Sequence, residues 1–265
     1  MDILSTVDNF RWEGAPLSNV LAPAVGVVAY LLVVWALCRH MAALGVPYSV
    51  PRWLAAGHNV VLSVGSAIMF IGCVYELQRR WESTGTLGWV ICEEITTAPA
   101  TGGLFFWSYV YYLSKYYEFF DTFIGLLRGS RMPNFGLQVY HHVCVVFMAW
   151  FWCETVQSLQ FPGLLFNTLV HVFMYAYYTC RVLKIRVPKV LKLGLTGLQI
   201  IQFGTSLIFL IFSLRVHVSR IKAREPGCAG YGRESLYSMW FNVIFNMTLL
   251  VSFVDVFKTN KKKKA

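Results

Sequence analysis

Apolar residues along this chain gather into seven long runs, near 20–38, 59–77, 104–127, 137–153, 163–180, 195–214 and 236–257. Most approach the roughly 20 residues that a helix needs to cross about 30 Å of hydrocarbon. The run at 137–153 is short and draws on its flanks. The runs are continuous and do not alternate, and in lipid only a helix or a closed barrel satisfies every backbone N–H and C=O. The pattern predicts an all-α polytopic membrane protein with seven transmembrane helices. No Gly-, Ser- or Pro-rich linker, low-complexity block or internal repeat divides the chain, so 1–265 reads as one membrane domain. The first run follows an acidic-leaning leader (Asp2, Asp8, Glu13) with no basic n-region or clear cleavage site, and reads as a retained helix.

Composition supports the pattern. Hydrophobic residues make up 57% of the chain and charged ones only 14%, against about 25% charged in a soluble domain. Mean hydropathy is +0.54. An ordinary soluble enzyme, a disordered chain and a nucleic-acid binder are excluded, despite a net charge of +10. Basic residues orient the spans. Fourteen lie in the 39–57, 128–136 and 181–194 connections and the C-terminal tail, and eight in the N-terminus and the other connections. This bias predicts a cytosolic C-terminus and a lumenal N-terminus, with the basic 215–235 connection as the exception. The terminal KKKA fits a dilysine retrieval signal of the endoplasmic reticulum membrane, or a patch that touches anionic lipid. Cys92 and Cys228 fall in connections on the expected lumenal, oxidising side, and are expected to form a disulfide.

Charged and polar residues inside a bilayer are costly and point to function. Here they cluster. The third span carries Lys115, Glu118, Asp121 and Thr122 within KYYEFFDT. The fourth carries Gln138, His141 and His142 within QVYHH, whose spacing lets all three project from one face. The fifth carries Asn167, His171, Tyr175 and Tyr178, and the sixth Thr196, Gln199 and Gln202. Each set follows helical spacing, so four consecutive helices are expected to face a common polar chamber. Lys115 and Glu118 can also be read as an interhelical ion-pair clamp. His40, His58 and His217, near span ends or in loops, read as packing residues.

Imidazoles invite a metal, and a metal-dependent lipid oxygenase or desaturase is one reading. Membrane di-iron enzymes use about eight histidines in several boxes, whereas this chain has six in all, three of them well placed. A seven-helix receptor or transporter fits the span count, but not the density of titratable groups. A neutral histidine acting as base or acyl-accepting nucleophile, with amides near a developing oxyanion, fits acyl transfer on a lipid thioester.

These motifs resemble those of the ELO family of fatty acid elongases. KYYEFFDT matches KxxExxDT, and QVYHH matches HxxHH except at Gln138. NTLVHVFMYAYY matches NxxxHxxMYxYY, and TGLQIIQ matches TxxQxxQ. The resemblance implies helices 2–7 in an inverted barrel around an acyl tunnel, and the activity of a very-long-chain 3-oxoacyl-CoA synthase. Such an acyltransferase condenses a long-chain acyl-CoA with malonyl-CoA, giving a 3-oxoacyl-CoA two carbons longer, CO2 and CoA. It needs no cofactor beyond these two co-substrates. Carried onto this chain, His141 accepts the acyl group, while His142 and His171 position malonyl-CoA or assist decarboxylation. Gln138 orients without titrating. Lys115, Glu118, Asp121, Asn167, Tyr175, Tyr178, Gln199 and Gln202 shape the substrate chamber. Glutamine in the first box position is similar to elongases of polyunsaturated substrates, implying an unsaturated acyl-CoA. The expected partners are membrane lipid, the 3-oxoacyl-CoA reductase, the dehydratase and enoyl reductase of the elongation cycle, and a second copy of the chain as a homodimer.

Overall fold

The computed structural model describes residues 3–95, 100–129, 134–233 and 235–262. Apart from the backbone of Lys262, the KKKA terminus lies outside them. Nine helices are present among the described residues. Two are short: α1 (Ile3–Asp8) and α4 (Gly88–Ile91). The other seven each cover one expected span: α2 (Leu21–Leu44), α3 (Arg52–Thr84), α5 (Gly103–Leu127), α6 (Phe135–Glu154), α7 (Gln160–Val182), α8 (Lys189–Lys222) and α9 (Leu236–Lys262). The described residues contain no strand, only isolated bridges at Arg11–Thr101 and Glu94–Cys228.

Local chemistry sets several ends. Gly45 and Gly85 stop α2 and α3 in the left-handed conformation (φ 71° and 67°), and their N–H groups close back on Met41 and Trp81 carbonyls. A residue without Cβ takes that conformation most readily. Pro51 and Pro188 immediately precede α3 and α8, where a missing N–H costs no helical hydrogen bond.

Five helices, α2, α3, α6, α8 and α9, are long and apolar enough to cross a membrane. The two long helices that fall short are α5, with Lys115, Glu118 and Asp121, and α7, with Asn167, His171 and its tyrosines. The chain forms a multi-pass membrane protein in which α5 and α7, with their polar stripes, are held among the other long helices.

Helix neighbours run α3–α7–α8–α9–α6–α5 and back to α3. Consecutive members of this circuit pack together, and α2 lies against α5 and α6 outside it. Small residues let the helices close up. A Cβ on Gly72 of α3 would collide with the Trp107 ring of α5, and one on Gly26 of α2 with the Tyr116 ring. Between α2 and α5 Tyr30 stacks on Phe119 at 4.2 Å, and between α5 and α6 Tyr111 stacks on Trp152 at 5.4 Å.

One end of the bundle is stapled. Cys92, after α4, is disulfide-bonded to Cys228, after α8, across 136 residues of sequence. Around it the Glu93 carbonyl accepts from the Ala229 N–H (2.8 Å). Ser158 Oγ accepts from the Glu93 N–H (3.0 Å) and donates to the Ala229 carbonyl (2.8 Å). Arg80 clasps Glu93 through two hydrogen bonds (2.5 and 2.7 Å).

Candidate functional site

The polar stripe of α5 forms the site's spine. Lys115 and Glu118, one turn apart, are both buried, with Nζ 2.6 Å from Oε1. Lys115 also sits over the Tyr111 ring, 3.9 Å from its centre. The Tyr111 hydroxyl donates to Asn167 Oδ1 of α7 (2.9 Å). One turn along α7, His171 places Nδ1 3.6 Å from Glu118 Oε1. A further turn on, Tyr175 meets His171 edge to face (centroids 5.3 Å) and donates its hydroxyl to Asp121 Oδ2 (2.7 Å). The helical repeat thus brings i, i+4 and i+8 of α7 against the stripe of α5.

Asp121 has a second partner. His58 of α3, classed from sequence as a packing residue, lies with Nε2 2.8 Å from Asp121 Oδ1. The structure corrects that reading. The carboxylate can only accept, so His58 donates, and each Asp121 oxygen is taken by a different helix.

On α6 the two adjacent histidines part company. His141 stacks on Phe245 of α9 (5.8 Å, 28°) and lines a cavity of about 100 Å³. His142 turns towards α2, against Tyr30 (5.9 Å) and Phe119 (6.1 Å), with its ring still 5.6 Å from that of His141. Gln138, one turn earlier, points the same way as His142 and donates to Thr122 Oγ1 (3.3 Å), itself 3.0 Å from the Tyr30 hydroxyl. The expectation that Gln138, His141 and His142 share one face is therefore corrected. Adjacent helical residues are about 100° apart, so only one of the pair faces the cavity, and i, i+4 spacing keeps Gln138 with His142.

The cavity is long. His141 and Trp152 both line it, and at 1.5 Å per residue their positions on α6 are about 16 Å apart. Val145, Met148, Phe203, Leu207 and Leu249 supply apolar wall. At the stapled end Gln157, Gly230 and Asn242 line it. There Gln157 donates to Ser238 Oγ (2.5 Å), and Asn242 Nδ2 donates to Gln157 Oε1. Sequence reading missed these three polar residues.

Of the remaining expected residues, Gln202 is buried and lines the cavity beside Asn167. Gln199 instead faces the Met174 sulfur (3.7 Å). Tyr178 lies at the edge of the cluster, 42% exposed and edge-on to Tyr175 (5.9 Å). Two buried polar atoms of the centre, Glu118 Oε2 and His142 Nδ1, have no hydrogen-bond partner among the described residues. No three His, Cys, Asp or Glu side chains among those residues are grouped to share a metal ion.

A buried ion pair stabilises a fold weakly, because desolvation offsets the attraction. Its presence beside a mainly apolar cavity lined by His141 defines the class: a multi-pass membrane protein with a buried polar centre and an adjoining cavity. Comparison with known proteins narrows this. The family model described as ELO: GNS1/SUR4 family matches residues 15–265, and the chain belongs to that family. It is 29% identical to fatty acid elongase sre1 of Dictyostelium discoideum over 97% of this chain and 91% of that one. It is 33% identical to fatty acid elongase A of the same organism, over 67% of this chain and 63% of that one. It is 27% identical to very long chain fatty acid elongase 5 of Tachysurus fulvidraco, over 94% and 78%. The matched stretch spans only 55% of another Dictyostelium relative's length.

Proposed function

We propose that this protein is a fatty acid elongase that condenses a long-chain acyl-CoA with malonyl-CoA. The observation that carries the reading is His141 on the wall of the long cavity, near the Lys115–Glu118–His171 cluster, with apolar wall leading away from it. The family membership and the relatives' names support it. The seven long helices cross the membrane, and the six of the circuit form a barrel with the acyl chain inside. The N-terminus is lumenal and the C-terminus cytosolic in the endoplasmic reticulum membrane. The oxidising lumen suits the stapled end, and the basic 181–194 connection attracts CoA phosphates from the cytosol.

In this mechanism a His141 nitrogen attacks the thioester carbon of acyl-CoA. The C–S bond breaks, CoA leaves with a proton, and the acyl group is held on the imidazole. Malonyl-CoA then loses CO2, and the electron pair of the broken C–C bond forms an enolate at its C2. That carbon attacks the acyl carbonyl, the C–N bond to His141 breaks, the imidazole takes a proton back from water, and a 3-oxoacyl-CoA two carbons longer is released. His171, on the Glu118 side, positions malonyl-CoA and stabilises the enolate. Gln138 and His142 brace α6 against α2 and α5. Both substrates enter from the CoA side, no further cofactor takes part, and the reductases and dehydratase of the cycle consume the product. Gln138 in place of histidine favours an unsaturated acyl chain.

Purified protein in detergent, offered malonyl-CoA with saturated and unsaturated acyl-CoAs, tests this. Wild type is expected to release a two-carbon-longer 3-oxoacyl-CoA, with unsaturated chains preferred. His141→Ala is expected to make at least about 10³-fold less, as when a nucleophile is removed. Gln138→His is expected to retain activity and narrow the preference. No product from folded wild type with any acyl-CoA overturns the reading.

A further inference from the structure

His58 belongs to none of the motif positions, yet it makes one of the two hydrogen bonds to Asp121 in the heart of the site. From Asp121 the contacts continue in one direction. Tyr175 donates to the other carboxylate oxygen (2.7 Å), Tyr175 meets the His171 ring edge to face (5.3 Å), and His171 Nδ1 lies 3.6 Å from Glu118. The chain of contacts crosses α3, α5 and α7. It ends at His171 and does not include His141, which stacks on Phe245 of α9.

We infer that His58 is a positioning residue for the condensation step: by fixing the Asp121 carboxylate it holds Tyr175 and so the ring of His171. The inference rests on the functional reading above. His58 is buried and its ring lies against Tyr117 (5.1 Å), so an apolar residue could fill the space. What such a residue could not supply is the donor. Without it Asp121 Oδ1 is left in a largely buried site without its partner, which is costly. The carboxylate is then free to rotate, and Tyr175 loses its fixed acceptor. The two walls of the chamber thereby divide the chemistry: acyl transfer belongs to His141 and Phe245, and the decarboxylative half to the wall that His58 ties together.

The half-reactions separate these roles. CoA release without malonyl-CoA reports acyl transfer to His141, and 3-oxoacyl-CoA formation reports the whole cycle. His58→Leu is expected to leave the burst of CoA release at the wild-type level. Its kcat for condensation is expected to fall about tenfold to thirtyfold with KM for acyl-CoA unchanged, the pattern of an interaction realised in the transition state. His58→Gln, which keeps an N–H donor near Nε2, is expected to restore most of the rate. In a Tyr175→Phe background His58→Leu is expected to cost little more, because both act through one carboxylate. Equal loss of burst and condensation, failure of His58→Gln to rescue, or losses that multiply would each overturn the inference. A wild type with neither burst nor product overturns the elongase reading instead. The His58–Tyr175 link is then judged by a double-mutant cycle on thermal unfolding, where additive effects refute it.

Discussion

At the stapled end of the bundle, Gln157, Ser238 and Asn242 hydrogen-bond to one another, Arg80 is doubly bonded to Glu93, and a disulfide ties the two connections together. In the polar centre Glu118 Oε2 and His142 Nδ1 have no hydrogen-bond partner among the described residues, as Ser213 Oγ beside the staple has none, and Lys115 and Glu118 form a buried ion pair. Unpaired polar atoms are what folding alone removes. The contrast lies in what holds each end: a covalent link with a side-chain network at the stapled end, and a buried ion pair with an unpaired carboxylate oxygen in the centre.

Substitutions can break this comparison from either side. The largest effect is expected from Lys115→Met, which leaves the Glu118 carboxylate buried without its cation and costs about 3–5 kcal/mol. Lys115→Met with Glu118→Leu is expected to recover much of that stability, as read by thermal unfolding in detergent, while 3-oxoacyl-CoA formation stays lost. Recovery of both would make the pair a structural clamp. Next comes the staple. Cys92→Ser with Cys228→Ser removes a 136-residue cross-link and is expected to cost about 2–5 kcal/mol, with condensation per folded molecule intact. Activity lost at temperatures where the variant remains folded would show that the floor serves chemistry.

Smaller effects sharpen the same boundary. Gly72→Ala pushes a methyl into the Trp107 ring and is expected to cost about 1–3 kcal/mol as overpacking, lowering the unfolding temperature without changing the product. Gln157→Ala opens the cavity floor at a cost of about 1 kcal/mol from a lost hydrogen bond. Its product profile by mass spectrometry is expected to move towards longer chains, and an unchanged profile would place the floor elsewhere.

Most of the helical framework was legible in the apolar runs. Each run lies inside one long helix, but α3 and α8 extend well beyond theirs, to Thr84 and from Lys189 to Lys222. Hydrophobicity marks the part of a helix in lipid and is blind to turns that project into water. Within the centre, the α5 and α7 stripes were readable because i, i+3 and i+4 spacing fixes a face. The division between His141 and His142 was not, since an apolar helix with neighbours on both sides offers no polar contrast to set its rotation. His58 escaped because its partner lies 63 residues away. The Gln157–Ser238–Asn242 group escaped because it joins a loop to a helix about 80 residues later. Contacts between distant segments leave no periodic trace in sequence. Cys92 and Cys228 were legible from their expected compartment, and the structure joins them.

The circuit of helices also has a direction in time. It closes where α9 meets both α8 and α6, so a helix synthesised after the other five completes the wall. At roughly 5–20 residues per second, Cys92 leaves the ribosome on the order of ten to thirty seconds before Cys228 can reach it. During that interval α5 must shelter its charges in a half-built bundle.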